Sequence, residues 1–430
     1  MTTLLAFIFV LGVLVFVHEL GHFLVAKAAK IRVETFSLGF PPKAVGITVG
    51  ETEYCLSWLP IGGYVKVAGM ADFGHEQAKG EPWEFQSKPK WIQMAVMAAG
   101  PIMNFILAFM IIMVVRLAAG EIAFMNSTQV GRVEGKAFAT AGVLPGDRVL
   151  SIAGAQVQDW EDVATAVLLN RGSTVDLMVD RAGRALSLSL AVDATVTTLG
   201  LDPFIPSKVG SVLPGDPAEG IGLQPGDLIV SIAGEPVEQW WDMSKLIQAR
   251  PDQEIELGWV RDGVEMVAQI VPRAEPTDDG PVGKIGVGLP LDRTPVPFGK
   301  AISRSGSELA SYTTTLFAFL KRLVSGQESG RALAGPVAIA QMAGQSAEQG
   351  WVSLFGFMAL LSVNLGVLNL LPIPMLDGGH LMVMSIEAVI RRPLSIRQKE
   401  MLQQVGFAFL IFVMLYVTFG DLGRIFGWFN

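Results

Sequence analysis

Four long apolar runs constrain this chain more than any other feature. A hydrocarbon core of about 30 Å takes roughly 20 apolar residues in helix to cross. Residues 4–26, 91–119, 351–371 and 405–428 each reach that length. Composition agrees, with 51% hydrophobic and only 17% charged residues, against about 25% charged in ordinary soluble domains. The first run has no basic segment before it and no small-x-small cleavage site behind it, so it reads as a span and not as a removable signal. A polytopic α-helical membrane protein with four transmembrane helices is the expected fold class. The net charge of −8 has no basic tract standing against it, which argues against nucleic acid as a partner. A lipid bilayer is the partner the spans demand.

Short flanking loops suggest an orientation. Lys27, Lys30 and Arg32 follow the first span, and Lys88 and Lys90 precede the second. Arg391, Arg392, Arg397 and Lys399 lie between the third and fourth. Positively charged loops stay cytoplasmic, which puts both termini and the long segment between spans two and three on the outer side.

That long segment repeats itself. Pro145-Gly146-Asp147 returns as Pro225-Gly226-Asp227, and Ser151-Ile152-Ala153-Gly154 as Ser231-Ile232-Ala233-Gly234. Trp160, Arg181 and Gly183 return at the same offset as Trp240, Arg261 and Gly263. Two tandem copies of one small domain follow. In each, a β-branched run (148–152, 228–232) reads as a strand and an acid-led stretch (159–170, 238–249) as a helix. The Gly-x-x-Pro-Gly-Asp turn before an apolar strand resembles the PDZ domain in its permuted bacterial form. PDZ domains take up an extended peptide by strand addition. Peptide capture and a purely steric role are both compatible with the pattern.

Chemistry concentrates in the first span. His18-Glu19-Leu20-Gly21-His22 holds two of the four histidines of the chain. On a helix of 3.6 residues per turn, positions four apart share a face, so both imidazoles can reach one ion. Imidazole suits zinc, and a catalytic zinc takes three protein ligands with one position left for water. Glu19 stands where a general base for that water is needed. Polar groups in an apolar span are costly without partners, and metal ligation removes that cost. The best candidate for the third ligand is Asp377, which follows the third span near the same cytoplasmic depth. Pro372 and Pro374 break the helix just before it, and Gly378 and Gly379 are expected to allow a sharp turn and a close approach. His380 is either a fourth group or a neighbour. Asn364 and Asn369 sit in the apolar third span and need partners; helix–helix hydrogen bonding would serve both, and Asn369 is near enough to Asp377 to touch a substrate backbone or oxyanion. With a single cysteine, Cys55, neither a disulfide within the chain nor a cysteine zinc cluster is open to it.

Taken in order, His18–His22, Gly100-Pro101-x-x-Asn104-Phe105, the two PDZ-like copies and the stretch 369–380 resemble the site-2 protease family of intramembrane zinc metalloproteases, in its tandem-PDZ branch of sigma-E regulator proteases. The resemblance covers nearly the whole chain. It implies a Zn2+ cofactor on His18, His22 and Asp377, with Glu19 catalytic. It implies a membrane-reentrant β-hairpin region over residues 34–67, in which Gly62 and Gly63 support the active site and an exposed edge holds the substrate. Two extracytoplasmic PDZ-like α+β domains complete the fold. The organisation expected is a membrane catalytic part (1–120), the PDZ-like domains (127–195 and 205–274), a linker with an amphipathic helix (294–348) and a second catalytic part (349–430). The resemblance implies a bacterial inner membrane location. Its substrates would be single-pass membrane proteins already shortened outside, an anti-sigma factor above all, and signal-peptide remnants. A PDZ scaffold with a vestigial motif is disfavoured by the intact set of four polar residues, and a transporter by the lack of an inverted repeat among the spans.

Overall fold

The computed structural model describes residues 2–70, 79–193, 199–277, 280–330, 333–392 and 394–425. In chain order the helices are α1 (Thr2–Ala28), α2 (Lys90–Ala119), α3 (Lys136–Ala141), α4 (Trp160–Leu169), α5 (Pro217–Gly220) and α6 (Trp240–Gln248). They continue with α7 (Phe298–Val324), α8 (Pro336–Glu348), α9 (Trp351–Leu370), α10 (Asp377–Ile390) and α11 (Ile396–Ile425). The chain divides into two compact units, Met1–Ala119 with Val296–Asn430, and Gly120–Pro295.

In the first unit, α1, α2, α9 and α11 are long and apolar enough to cross a membrane. Helix α1, with 27 residues, is about 40 Å long at 1.5 Å per residue. Helix α11 starts ahead of the expected Val405, because Gln398, Lys399, Glu400 and Gln403 are good helix formers whose polarity hides them from a hydropathy reading. The end of that expected span, 426–428, lies outside the described residues.

The buried positions of α1 are Ala6, Val10, Leu14, His18, Gly21, His22 and Ala26. They recur every three or four residues, so one stripe faces inward and carries both histidines. Small residues let the neighbouring helix come close. A Cβ on Gly21 would stand 2.4 Å from the Ala99 carbonyl oxygen of α2. Gly366 of α9 meets Phe105 and the Pro101 carbonyl in the same way.

Strands β1 (Val33–Val49) and β2 (Thr52–Val67) follow α1. They form more than the expected hairpin. Residues 35–38 pair with 63–66 on one side and with 53–56 on the other, while 45–49 pair with 52–56. Two bent strands thus make a sheet of four segments. Val45, Ile47, Val49, Leu56 and Trp58 leave it exposed and apolar.

After α9 the chain reverses through Pro372 and Pro374 into α10, whose first residue is Asp377. The turn is not made at Gly378 and Gly379, as expected, but just before them: Met375 has φ +85°. The two glycines are helical and serve the close approach alone. A Cβ on either would lie 2.2–2.3 Å from the carbonyl oxygens of Leu371 and Ile373.

Helix α7 is amphipathic and packs Leu309, Tyr312, Leu316 and Leu320 against the core that α1, α2 and α9 share. Glu308 on α7 meets Arg116 of α2 at 2.7 Å. Helix α8 was hidden within a stretch read as linker. Its first N–H groups have no intrahelical partners, and the buried carboxylate of Asp421 on α11 accepts from Gly335, Val337 and Ala338 at 3.0–3.1 Å.

Glu387 ties three helices together. This buried carboxylate on α10 meets Lys90 of α2 at 2.8 Å and Lys399 of α11 at 2.7 Å, and accepts from the Leu394 amide. Burial pushes its pKa up, but the hydrogen bonds from Lys399 and Lys90 outweigh that and bring it from the ordinary 4.5 down to about 2. Its stabilising effect is therefore complete above pH 4.5 and fades as pH falls toward 2. We expect Glu387→Gln to lower stability at neutral pH by about 1–2 kcal/mol, less than for a fully buried pair, because both lysines remain partly hydrated. Thermal unfolding in detergent at several pH values checks this: the gap between the two proteins should close at the acid end.

The second unit contains the repeat. In the first copy the sheet order is 155–156, 148–152, 174–181, 184–191, and in the second 235–236, 228–232, 255–261, 264–270. Each copy is pinned by the motif its sequence repeats. Arg181 grips the buried Asp147 and the Gly142 carbonyl, and Arg261 grips Asp227 and the Gly222 carbonyl. Helices α4 and α6 occupy the predicted stretches, α4 capped by Asp159 through the Asp162 amide. The copies meet where Gln239 donates to the Gly131 carbonyl and the Trp241 indole to that of Pro203, with Arg132 lying 4.0 Å over the indole.

Candidate metal centre

The inward stripe of α1 places His18 above His22, and the reversal after α9 brings Asp377 to both. His18 Nε2 and His22 Nε2 are 3.2 Å apart. Asp377 Oδ2 lies 3.1 Å from His18 Nε2, and Oδ1 lies 3.5 Å from His22 Nε2. One ligand atom from each residue falls within 4.8 Å of the others. Both histidines are only 8% exposed.

Three observations show that these residues fit a metal ion. The donor set of two imidazoles and a carboxylate is one that zinc takes. Asp377 Oδ2 is buried and has no well-directed hydrogen bond despite its closeness to His18. Most telling is Gly100 on α2, where a Cβ would stand 2.3 Å from His22 Nε2 and 2.8 Å from His18 Nε2. Only glycine keeps the side of α2 that faces the two nitrogens clear. His22 is also held in a ligating form: its Nδ1 lies 2.8 Å from the Val96 carbonyl. A carbonyl can only accept, so the proton sits on Nδ1 and the Nε2 lone pair is free.

Around this cluster the other predicted residues divide. Glu19 lies beside Gly63, whose added Cβ would be 3.3 Å from Glu19 Cγ and 2.8 Å from the Ser37 carbonyl. The start of the segment 63–67 is therefore laid against the glutamate. Gly62 takes a positive φ of 97°, a conformation glycine adopts at little cost. Asn369 Nδ2 reaches to 3.5 Å from His18 Nε2. Asn364 has no hydrogen bond to the cluster among the described residues, and His380, a turn along α10, is outside it. Gly100 and Asn104 stood in the sequence only as parts of a motif. Asn104 is in fact fully buried, 3.0 Å from His18 Nδ1. The Gly-x-x-x-Asn spacing could have revealed them, since it puts a gap and a polar group on one face of a span.

A His–His–Asp cluster among membrane-length helices, with a glutamate beside the first ligand, defines a zinc metalloendopeptidase. Comparison with known proteins agrees. The chain belongs to Peptidase family M50, whose profile matches residues 6–413. It is similar to the regulator of sigma-E protease RseP of Escherichia coli, 32% identical over 98% of each chain. It is also similar to the zinc metalloprotease RasP of Bacillus licheniformis, 32% identical over 99% of this chain and 100% of that one. The RasP of Geobacillus kaustophilus is 30% identical over 99% of this chain and 98% of its own.

Proposed function

We propose that this chain cleaves the transmembrane segments of single-pass membrane proteins within a bacterial inner membrane, after a first cut outside. The observation that carries the reading is the placement of Asp377, at the start of α10, against His18 and His22 on the inward stripe of the membrane-length helix α1. His18, His22 and Asp377 hold zinc in this reading, and zinc supplies the Lewis acidity that activates water and polarises the scissile carbonyl. Glu19 accepts the water's proton on its carboxylate and passes it to the leaving amine nitrogen. Asn369 Nδ2, beside His18, donates to the substrate carbonyl as negative charge develops there.

A peptide bond in a helix is shielded and must be extended before attack. The β1–β2 sheet supplies the means: among the described residues its segment 63–67 is paired on one side, and Gly63 lies beside Glu19, so a substrate strand can add there. The exposed apolar face of Val45, Ile47, Val49, Leu56 and Trp58 suits a sheet that dips into lipid as a reentrant element. The basic loops favour an orientation with the site near the cytoplasmic side and both termini and the two repeat domains outside. We read those domains as a PDZ-like pair that admits only clipped substrates. The name of the E. coli relative favours an anti-sigma factor in envelope stress signalling as the leading substrate, with signal-peptide remnants as a second class.

Membrane proteomics of cells carrying wild type or Glu19→Gln tests this. Short single-pass fragments should accumulate several-fold in the variant. An unchanged fragment population would sink the proposal.

A further inference from the structure

The far nitrogens of the two histidines are held differently. Behind His22 stands a backbone carbonyl, which leaves the ring no choice of tautomer. Behind His18 stands the side-chain amide of Asn104, with Nδ2 3.0 Å from Nδ1. Asn104 is 0% exposed and its Oδ1 has no partner. The residue is fixed in place, since Ser362 Oγ of α9 donates to its backbone carbonyl at 2.7 Å.

The nitrogen and oxygen of an amide have the same shape, so which of them faces His18 is decided by hydrogen bonding. With Nδ2 toward the ring, Nδ1 must accept, and the ring proton sits on Nε2. That nitrogen is the one directed at Asp377 and His22, and a protonated nitrogen cannot ligate. With Oδ1 toward the ring, Nδ1–H donates to it and Nε2 offers its lone pair. Either arrangement uses one amide atom and leaves the other without a partner, so the lone pair that ligation needs on Nε2 decides between them. We propose that Asn104 is a positioning residue for the metal centre: its amide oxygen accepts the Nδ1 proton of His18 and so holds that ring in the ligating tautomer, the part the Val96 carbonyl plays for His22. The inference rests on reading His18 and His22 as zinc ligands.

The test is zinc affinity of the full-length protein in detergent, stripped of metal and titrated against a chelator of known affinity. Asn104→Asp keeps an acceptor in nearly the same shape. Asn104→Leu keeps the volume and removes the acceptor, and Asn104→Ala replaces it should the leucine variant fail to fold. Loss of a group that orients a ligand costs about 10–100-fold in metal affinity, and that is the weakening expected for Leu or Ala. The aspartate variant should stay within about threefold of wild type, as carboxylate–histidine–zinc arrangements do. A packing role predicts the opposite order, with leucine tolerated and a buried carboxylate harmful. Leucine or alanine binding as tightly as wild type, or aspartate losing as much as they do, would overturn the proposal. Failure of the wild type itself to take up zinc, with His22→Ala indistinguishable from it, would instead refute the reading on which the proposal stands.

Discussion

Glu19→Gln should all but stop cleavage while leaving zinc uptake and folding intact. Glutamine has the size of glutamate and lacks only a basic oxygen, so the site keeps its shape and loses its proton acceptor. General acid–base groups contribute about 10^2–10^4-fold to rate, and Glu19 handles both proton transfers in the proposed sequence. A fall in kcat on the order of 10^3 is expected, with KM little changed, because the glutamine still fills the space beside Gly63. A single-pass substrate in reconstituted membranes gives the rate, and metal analysis of the same sample gives the zinc content. Full zinc with normal turnover would show that another group moves the proton.

Gly100→Ala should act on the metal itself. Its methyl group would sit 2.3 Å from His22 Nε2, inside any tolerable contact. Either the imidazole leaves its position or α2 withdraws from α1, and Gly21 packed on Ala99 resists the second. Metal sites tolerate ligand displacements of only about 0.2 Å, so zinc affinity should fall at least about 100-fold. Activity goes with it. A chelator titration like that for Asn104 reads the loss, and an alanine variant that binds zinc normally would mean the helices are less closely packed than they are here.

What the bare sequence could disclose was whatever repeats at short range. Two histidines four apart, runs of apolar residues and two copies of Pro-Gly-Asp are local patterns with local physical causes. They led to the spans, the repeat and the two histidines, while Asp377 came from its depth after the third span and from the family resemblance. The residues that escaped notice act across helices distant in sequence. The contact of Asn104 with His18, the methyl-free face of Gly100 and the cap Asp421 supplies to α8 depend on which helix lies beside which, and periodicity does not encode neighbours. The sheet was underestimated for a related reason, since a strand that bends and pairs on both sides looks like any other strand in its alternation. At the reversal into α10, Gly378-Gly379 drew attention as the flexible site, yet the positive φ falls on Met375. The glycines were needed for contact with Leu371 and Ile373, a demand no single sequence can display.

The grouping of His18 and His22 with Asp377 also has a consequence for how the protein is made. About 350 residues of chain separate His22 from Asp377, so the histidines are made well before the aspartate. At roughly 5–20 residues per second, a growing chain carries both imidazoles for on the order of tens of seconds before the carboxylate exists. During that interval the half-built site has two of its three groups, so the emerging chain and its neighbours in the translocation machinery are not exposed to a finished protease. The order of synthesis thus leaves the site incomplete until α10 has been made.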